Sequence, residues 1–134
     1  MKKFTTIFGA LSDKTRLRIV WLLTQAKGSL CVCELVDALN ESEYNISRHL
    51  KELKVAGLVK EKREGRWVYH FLVEPEDEFQ ELIHKAVGSI SEELLLEDED
   101  RLKRRVALRQ NDKCVVGLKS EAWERLLMGS SQGE

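Results

Sequence analysis

Residues 31–73 read "CVCELVDALNESEYNISRHLKELKVAGLVKEKREGRWVYHFLV", and the hydrophobic period changes twice along them. Val32, Leu35, Val36 and Leu39 recur at i, i+3, i+4 and i+7, which predicts a short helix over 32–40. "NESE" breaks it. A second helix is expected over 43–56, with Ile46, Leu50 and Leu53 on its apolar face and Gly57 as its stop. From residue 58 the period becomes two. Leu58, Lys60 and Lys62 alternate with Val59, Glu61 and Arg63, and Trp67, Tyr69 and Phe71 with Val68, His70 and Leu72. These two runs on either side of Glu64-Gly65 predict a β-hairpin with a cationic tip formed by Lys60, Lys62, Arg63 and Arg66.

The flanks extend the pattern. Residues 4–10 predict a short helix. Ser12 and Asp13 offer caps for a buried helix that contains Leu17, Val20, Trp21 and Leu23 and stops at Gly28. After Pro75, the sole proline, a long helix is expected over 76–96. Phe79, Ile83, Ala86, Ile90 and Leu94 form its stripe, and acids in its first turn suit the helix dipole. The acidic run 97–100 is expected to break this helix, and "RLKRRVALRQ" to form one more. Residues 119–134 are weakly patterned and "GSSQGE" reads as a frayed end. Two domains are expected: 1–96, and a C-terminal extension 97–134.

Composition narrows the function. The formal net charge is −1, but residues 1–72 carry 13 Lys+Arg against 8 Asp+Glu, and residues 73–134 carry 9 against 15. The first part can therefore face a polyanion, through a local basic surface present in two copies. No apolar run approaches the ~20 residues that span a bilayer, and the N-terminal stretch is not a secretory signal, so a cytoplasmic protein with no membrane partner is expected. Three cysteines in such a chain read as reduced thiols.

Helix, helix, turn, helix and basic hairpin describe a winged helix-turn-helix, mainly α with a β-hairpin wing. In this docking mode the second motif helix lies in a DNA groove. With Ile46 at 0° on a helical wheel, Leu50 and Leu53 lie within about 40° of it, and Tyr44, Arg48, Lys51 and Val55 centre on the opposite side. Tyr44, Asn45, Ser47 and Arg48 are the candidates for base or groove contact. Lys51, Lys62, Arg63 and Arg66 are the candidates for the phosphate backbone. Trp67 and Tyr69 read as hairpin packing, and His49 as a hydrogen-bonded structural residue.

"LCVCELVDAL", "ISRHLKELKVAGLV" and "REGRWVYHFL" together resemble the arsenic-responsive branch of the ArsR/SmtB family of metal-sensing winged-helix repressors, over about residues 5–95. The resemblance implies a homodimer joined by its first and last helices, here 4–10 and 76–96, with Phe8, Phe79, Ile83, Ala86 and Ile90 as candidate interface residues. It also implies an operator of double-stranded DNA, read as an inverted repeat, no cofactor required for DNA binding, and a thiophilic ion as inducer. Zinc- and nickel-type relatives pair acid and His ligands on the long helix. Asp77, His84 and Glu92 do not form such a set, and no site is expected there.

Cys31 and Cys33 lie at a helix start. Residues i and i+2 of a regular helix point about 200° apart, so one ion can be shared between them only if Cys31 stands at or before the cap. Thiolates suit soft ions. Trivalent arsenic calls for three of them, with antimony as a second candidate. Related sensors can carry a third cysteine three residues after the pair, but here that position is Val36. Cys114 is the remaining thiol and is expected to complete the set, from the same chain or its partner. The function expected is a repressor released from DNA by As(III) or Sb(III). The alternatives are a repressor of the same fold that senses cadmium, lead or thiol oxidation, and a thiol enzyme. The enzyme is disfavoured because neither "CVCELVD" nor "KCVVGLK" forms an anion loop with Cys followed by Arg.

Overall fold

The computed structural model describes residues 1–132. Its elements run α1 (Lys2–Leu11), α2 (Lys14–Ala26), β1 (Leu30–Cys31), α3 (Val32–Leu39), α4 (Glu43–Val55), β2 (Val59–Glu64), β3 (Trp67–Leu72), α5 (Glu78–Gly88), α6 (Glu93–Val106) and α7 (Glu121–Gln132). The expected winged helix-turn-helix is present, with a third strand added to the hairpin.

Helix α2 is the central element. The Asp13 carboxylate caps it by accepting the Arg16 N–H at 3.0 Å, and Ile19, Val20, Leu22 and Leu23 are buried on several sides of it. The left-handed residue that ends it is Lys27 (φ 52) rather than Gly28. Asn40 (φ 54) turns the chain out of α3, and Ser42 opens α4 by accepting the Asn45 N–H at 3.1 Å. Gly57 (φ 78) lets the chain leave α4. In the hairpin, Val59 faces Leu72 and Glu64 faces Trp67. The turn between them is Gly65-Arg66, where Gly65 supplies the positive φ of 62. Strand β1 pairs antiparallel with the other edge of β3, placing Cys31 opposite Tyr69.

Further sequence expectations are corrected. The helix expected over 76–96 is two helices. Gly88 ends α5, the Ser89 hydroxyl bonds back to the Ala86 carbonyl at 2.7 Å, and Trp21 Nε1–H takes the Ile90 carbonyl at 3.1 Å. These bonds stop propagation before Glu92 restarts the chain as α6. The acidic run 97–100 does not break a helix. It lies within α6, which also absorbs most of the further helix expected in "RLKRRVALRQ" and runs across the 96/97 division drawn from the sequence. Residues 121–132, read as weakly patterned, form α7 around a buried Trp123. The frayed end expected at 129–134 is helical through residue 132, and its last two residues lie outside the described chain.

Helix α6 is tied to the centre by charge. Asp98, in the acidic run, turns inward. Both its carboxylate oxygens accept from Arg18, each at 2.8 Å, and Arg18 also donates to the Leu39 carbonyl at 3.0 Å. Asp98→Ala leaves that buried guanidinium with only the more distant Glu41 carboxylate, at 3.8 Å. Chemical denaturation is expected to show a loss of about 3–5 kcal/mol, whereas Glu99→Ala, which removes an exposed pairing with Lys103, costs less than about 1 kcal/mol.

Candidate functional site

Cys31 is the N-cap residue of α3 and also the last residue of β1, with extended backbone (φ −75, ψ 155). That geometry removes the 200° problem, because only Cys33 belongs to the helix proper. Glu34 reaches back to accept the Cys31 N–H at 2.9 Å, closing a capping box. Cys114 arrives from the irregular segment between α6 and α7. Its N–H donates to Tyr69 Oη at 2.9 Å, directly across the sheet from Cys31. The three sulfurs lie within 4.8 Å of one another, all three cysteines belong to the same chain, and all are buried. With Tyr69 they form a small cluster of their own beneath Trp67 and Leu118, distinct from the main core.

The trio divides its charge unequally. Hydrogen bonding from Cys114 and then Cys31 pulls the Cys33 thiol well below its usual range, with the Arg105 guanidinium adding to the effect. Cys114 is driven up by its hydrogen bonds to Cys31 and Cys33 and by burial. Cys31, by contrast, ends above the ordinary thiol range. There a lowering hydrogen bond from Cys114 is outweighed by Cys33 and burial. Within the trio, Cys33 is the sulfur whose surroundings most favour the thiolate. Soft, convergent and shielded from water, the three donors fit a thiophilic ion that takes three sulfurs.

Residues that sequence reasoning missed hold this cluster in place. Glu34 is fully buried and receives Arg109 twice, each bond 2.7 Å. Asp37 is buried against Arg105 at 2.7 Å. Arg101 donates to the Asp37 and Ala38 carbonyls at 2.8 and 3.0 Å. A signal existed: Arg101, Arg105 and Arg109 recur every four residues, as a single helical face would place them.

The DNA-reading candidates occupy an outer surface. Tyr44 is 76% exposed. Ser47, Arg48 and Lys51 are exposed, and Asn45 is half-buried. Lys62, Arg63 and Arg66 project from the wing, with Arg66 stacked 4.6 Å over Trp67 and Lys62 3.6 Å from Glu64. His49 is buried, its ring nitrogens near Arg16 and Arg48.

The candidate interface residues divide. Phe8 is 55% exposed and Ala86 is exposed, whereas Ile83 is buried in the chain's own core and Phe79 and Ile90 pack against it. The α5 stripe is therefore not the bare apolar face its spacing suggested. Exposed apolar surface at this end comes instead from Phe4, Phe8 and Leu82, with both phenyl rings edge-on to Phe79.

Residues 13–61 match the family model described as "Bacterial regulatory protein, arsR family". The chain is 40% identical over 96 residues to the arsenic resistance transcriptional regulator ArsR1 of Pseudomonas putida, covering 72% of this chain and 74% of that protein. This chain belongs to the arsR family of bacterial regulatory proteins. It is also 47% identical over 66 residues to the arsenical resistance operon repressor of Escherichia coli, spanning 49% of this chain and 56% of that one. Among solved structures, the homodimeric winged helix-turn-helix DNA-binding domain Mb0332 of Mycobacterium bovis superposes with a TM-score of 0.55 at 28% identity, covering 64% of this chain and 75% of that one. Among the described residues, no helix of this arsR-family chain is long and apolar enough to cross a membrane.

Burial lowers the pKa of His49 and His70 below the usual imidazole value of 6.5. Burial thus favours the neutral ring in the folded chain, and among the described residues His70 Nδ1 has no hydrogen-bond partner. The unfolded chain therefore binds more protons below pH 6.5. The stability these rings contribute is complete above that value and falls as the pH drops through it. Thermal melts are expected to show a lower Tm at pH 5 than at pH 7, with a smaller drop in His70→Asn.

Proposed function

We propose that this protein is a cytoplasmic, homodimeric transcriptional repressor that holds double-stranded operator DNA, an inverted repeat, and releases it when trivalent arsenic or antimony is captured by Cys31, Cys33 and Cys114. The observation that carries the reading is the meeting of three buried sulfurs at the first turn of the helix that braces the recognition helix. In this reading residues 1–96 read DNA and dimerise, and residues 97–134 supply the third thiol. DNA binding needs no cofactor, and the protein is a binding module rather than an enzyme.

The DNA-facing roles follow from exposure and charge. Tyr44, Asn45, Ser47 and Arg48 stand in the first half of α4, where a docked helix approaches base edges. Lys51, Lys62, Arg63 and Arg66 take phosphates. In this reading Phe8, Phe79 and Ala86 meet a second copy beside Phe4 and Leu82, with Ile83 and Ile90 beneath them, a role that the exposure of Phe4, Phe8 and Leu82 supports.

The link between thiols and DNA is short. Cys31 both caps α3 and offers its sulfur as a ligand, and Glu34 bonds its backbone. A ligand that holds the three sulfurs closer than they rest pulls the cap of α3 and the Cys114 segment together, and α3 carries that shift to α4, against which it packs. Release follows to the extent that the ligand prefers this arrangement over the DNA-bound one. Three soft donors also suit cadmium and lead, and the same titration separates them.

Fluorescence anisotropy with operator DNA tests the proposal. Arsenite is expected to weaken binding by wild-type protein by about 5- to 150-fold. Cys31→Ser, Cys33→Ser and Cys114→Ser are expected to bind DNA without arsenite and to lose the response. A full response in Cys114→Ser would remove it from the ligand set. A response to cadmium or lead alone would reassign the inducer.

A further inference from the structure

Cys114 sits on a segment with little regular structure. Between α6 and α7 its own backbone pairing is a single bridge, Gln110 with Lys113. Such a segment has no intrinsic reason to hold a thiol within a few ångströms of a helix cap. We propose that Arg105 is the positioning residue that makes the thiol cluster three-membered, by fixing the Cys114 segment against α3. The inference rests on reading Cys31, Cys33 and Cys114 as the ligand set.

The geometry is a bolt. Arg105 is 1% exposed. Its Nε–H donates to Asp37 Oδ2 at 2.7 Å, and its terminal NH2 donates to the Val116 carbonyl at 2.8 Å and the Gly117 carbonyl at 3.1 Å. The other oxygen of Asp37 accepts the Lys119 N–H at 2.9 Å. One buried ion pair thus makes three bonds to residues 116–119, just downstream of Cys114. Asp37 lies four residues after Cys33 on the same face of α3, so the helix that carries the paired cysteines also carries the anchor for the third. Cys33 itself approaches the Val116 carbonyl, Sγ to oxygen 3.8 Å. Upstream, the Tyr69 hydroxyl and the Lys113–Glu64 pair hold the segment to the wing.

The fork of the guanidinium matters, not its charge alone. A lysine at 105 can neutralise Asp37, but a single ammonium lacks the planar donor array that spans a carboxylate and two carbonyls. Without that array the third thiol is tethered rather than placed, and its ordering must be supplied when the ion binds. Arg105 touches none of the three sulfurs through a hydrogen bond among those described. Apart from the field its charge exerts on Cys33, which Arg105→Lys retains, its effect is on where Cys114 stands.

The test compares the full chain as wild type, Arg105→Lys and Cys114→Ser. Arsenic X-ray absorption counts As–S bonds, and arsenite titration gives Kd. In arsenite-free protein, iodoacetamide labelling of each cysteine and amide exchange at Lys119 report the placement directly. Wild type is expected to show three As–S bonds. Arg105→Lys is expected to show two and a Kd raised about 10- to 100-fold, with faster labelling of Cys114, faster exchange at Lys119, and unchanged circular dichroism and Cys31 labelling. Three As–S bonds, wild-type affinity and wild-type Cys114 labelling in Arg105→Lys would overturn the inference. Should Arg105→Lys not fold, Asp37→Leu with Arg105→Met removes both buried charges together, and the same outcomes decide. Fewer than three As–S bonds in wild type would instead sink the ligand reading. The arsenite-free arms then decide the placement alone, equal rates overturning it and faster rates upholding it.

Discussion

Two carboxylates on one short helix constrain the whole molecule. Helix α3 has eight residues, fewer than a helix needs to persist alone, and it buries Glu34 and Asp37 almost completely. A buried carboxylate without a partner costs several kcal/mol. The partners, Arg109 and Arg105, lie well beyond the winged domain in sequence, so α6 and the segment after it must return across α3. Arg101 and Arg18 complete the arrangement by taking the last carbonyls of α3, groups the helix cannot satisfy itself. The return of the chain is what carries Cys114 to the other two cysteines.

This division gives α3 two different ends. Its first turn, with Cys31 extended in β1 and Cys33 inside the helix, belongs to the small cluster under Trp67 and Leu118. Its last turn packs into the main core and leads through Asn40 to α4. The helix is short, its ends are pinned by charge, and interiors of this density transmit displacement rather than absorb it. A change at the thiols therefore has a route to the recognition helix that crosses one element, while Tyr69 and Glu64 give the same segment a foothold on the wing.

Much of the DNA-reading half was legible in the sequence, because local rules govern it. Period-3.6 and period-2 patterns, the cap at Asp13, the stop at Gly57 and the turn beside Gly65 all operate within a few residues of where they are read. The errors have tertiary causes. Ser89 and Trp21 split the expected long helix through bonds that no window of hydropathy contains. Asp98 reads as part of an acidic run that breaks a helix, yet it is the inward-facing partner of Arg18, eighty positions earlier in the chain. The cysteine pair was conspicuous as a motif, but the geometry that lets its sulfurs converge depends on β1, a two-residue strand defined by its pairing with Tyr69. Burial exposed a further limit: Ile83 and Ile90 have the spacing of a docking stripe, and the chain's own core already covers much of it.

The family model ends at residue 61, before the wing's return strand, α6 and Cys114. Helix α4 and the start of the wing thus lie within that match, and the third sulfur lies far outside it. Because that sulfur is encoded after both motif helices and the hairpin, the cluster comes into being only once all of them have been synthesised. A polypeptide interrupted just before residue 114 keeps both motif helices and the hairpin while holding two thiols, and if the full set is what loosens the grip on DNA, such a fragment would hold its operator without any means of being switched off.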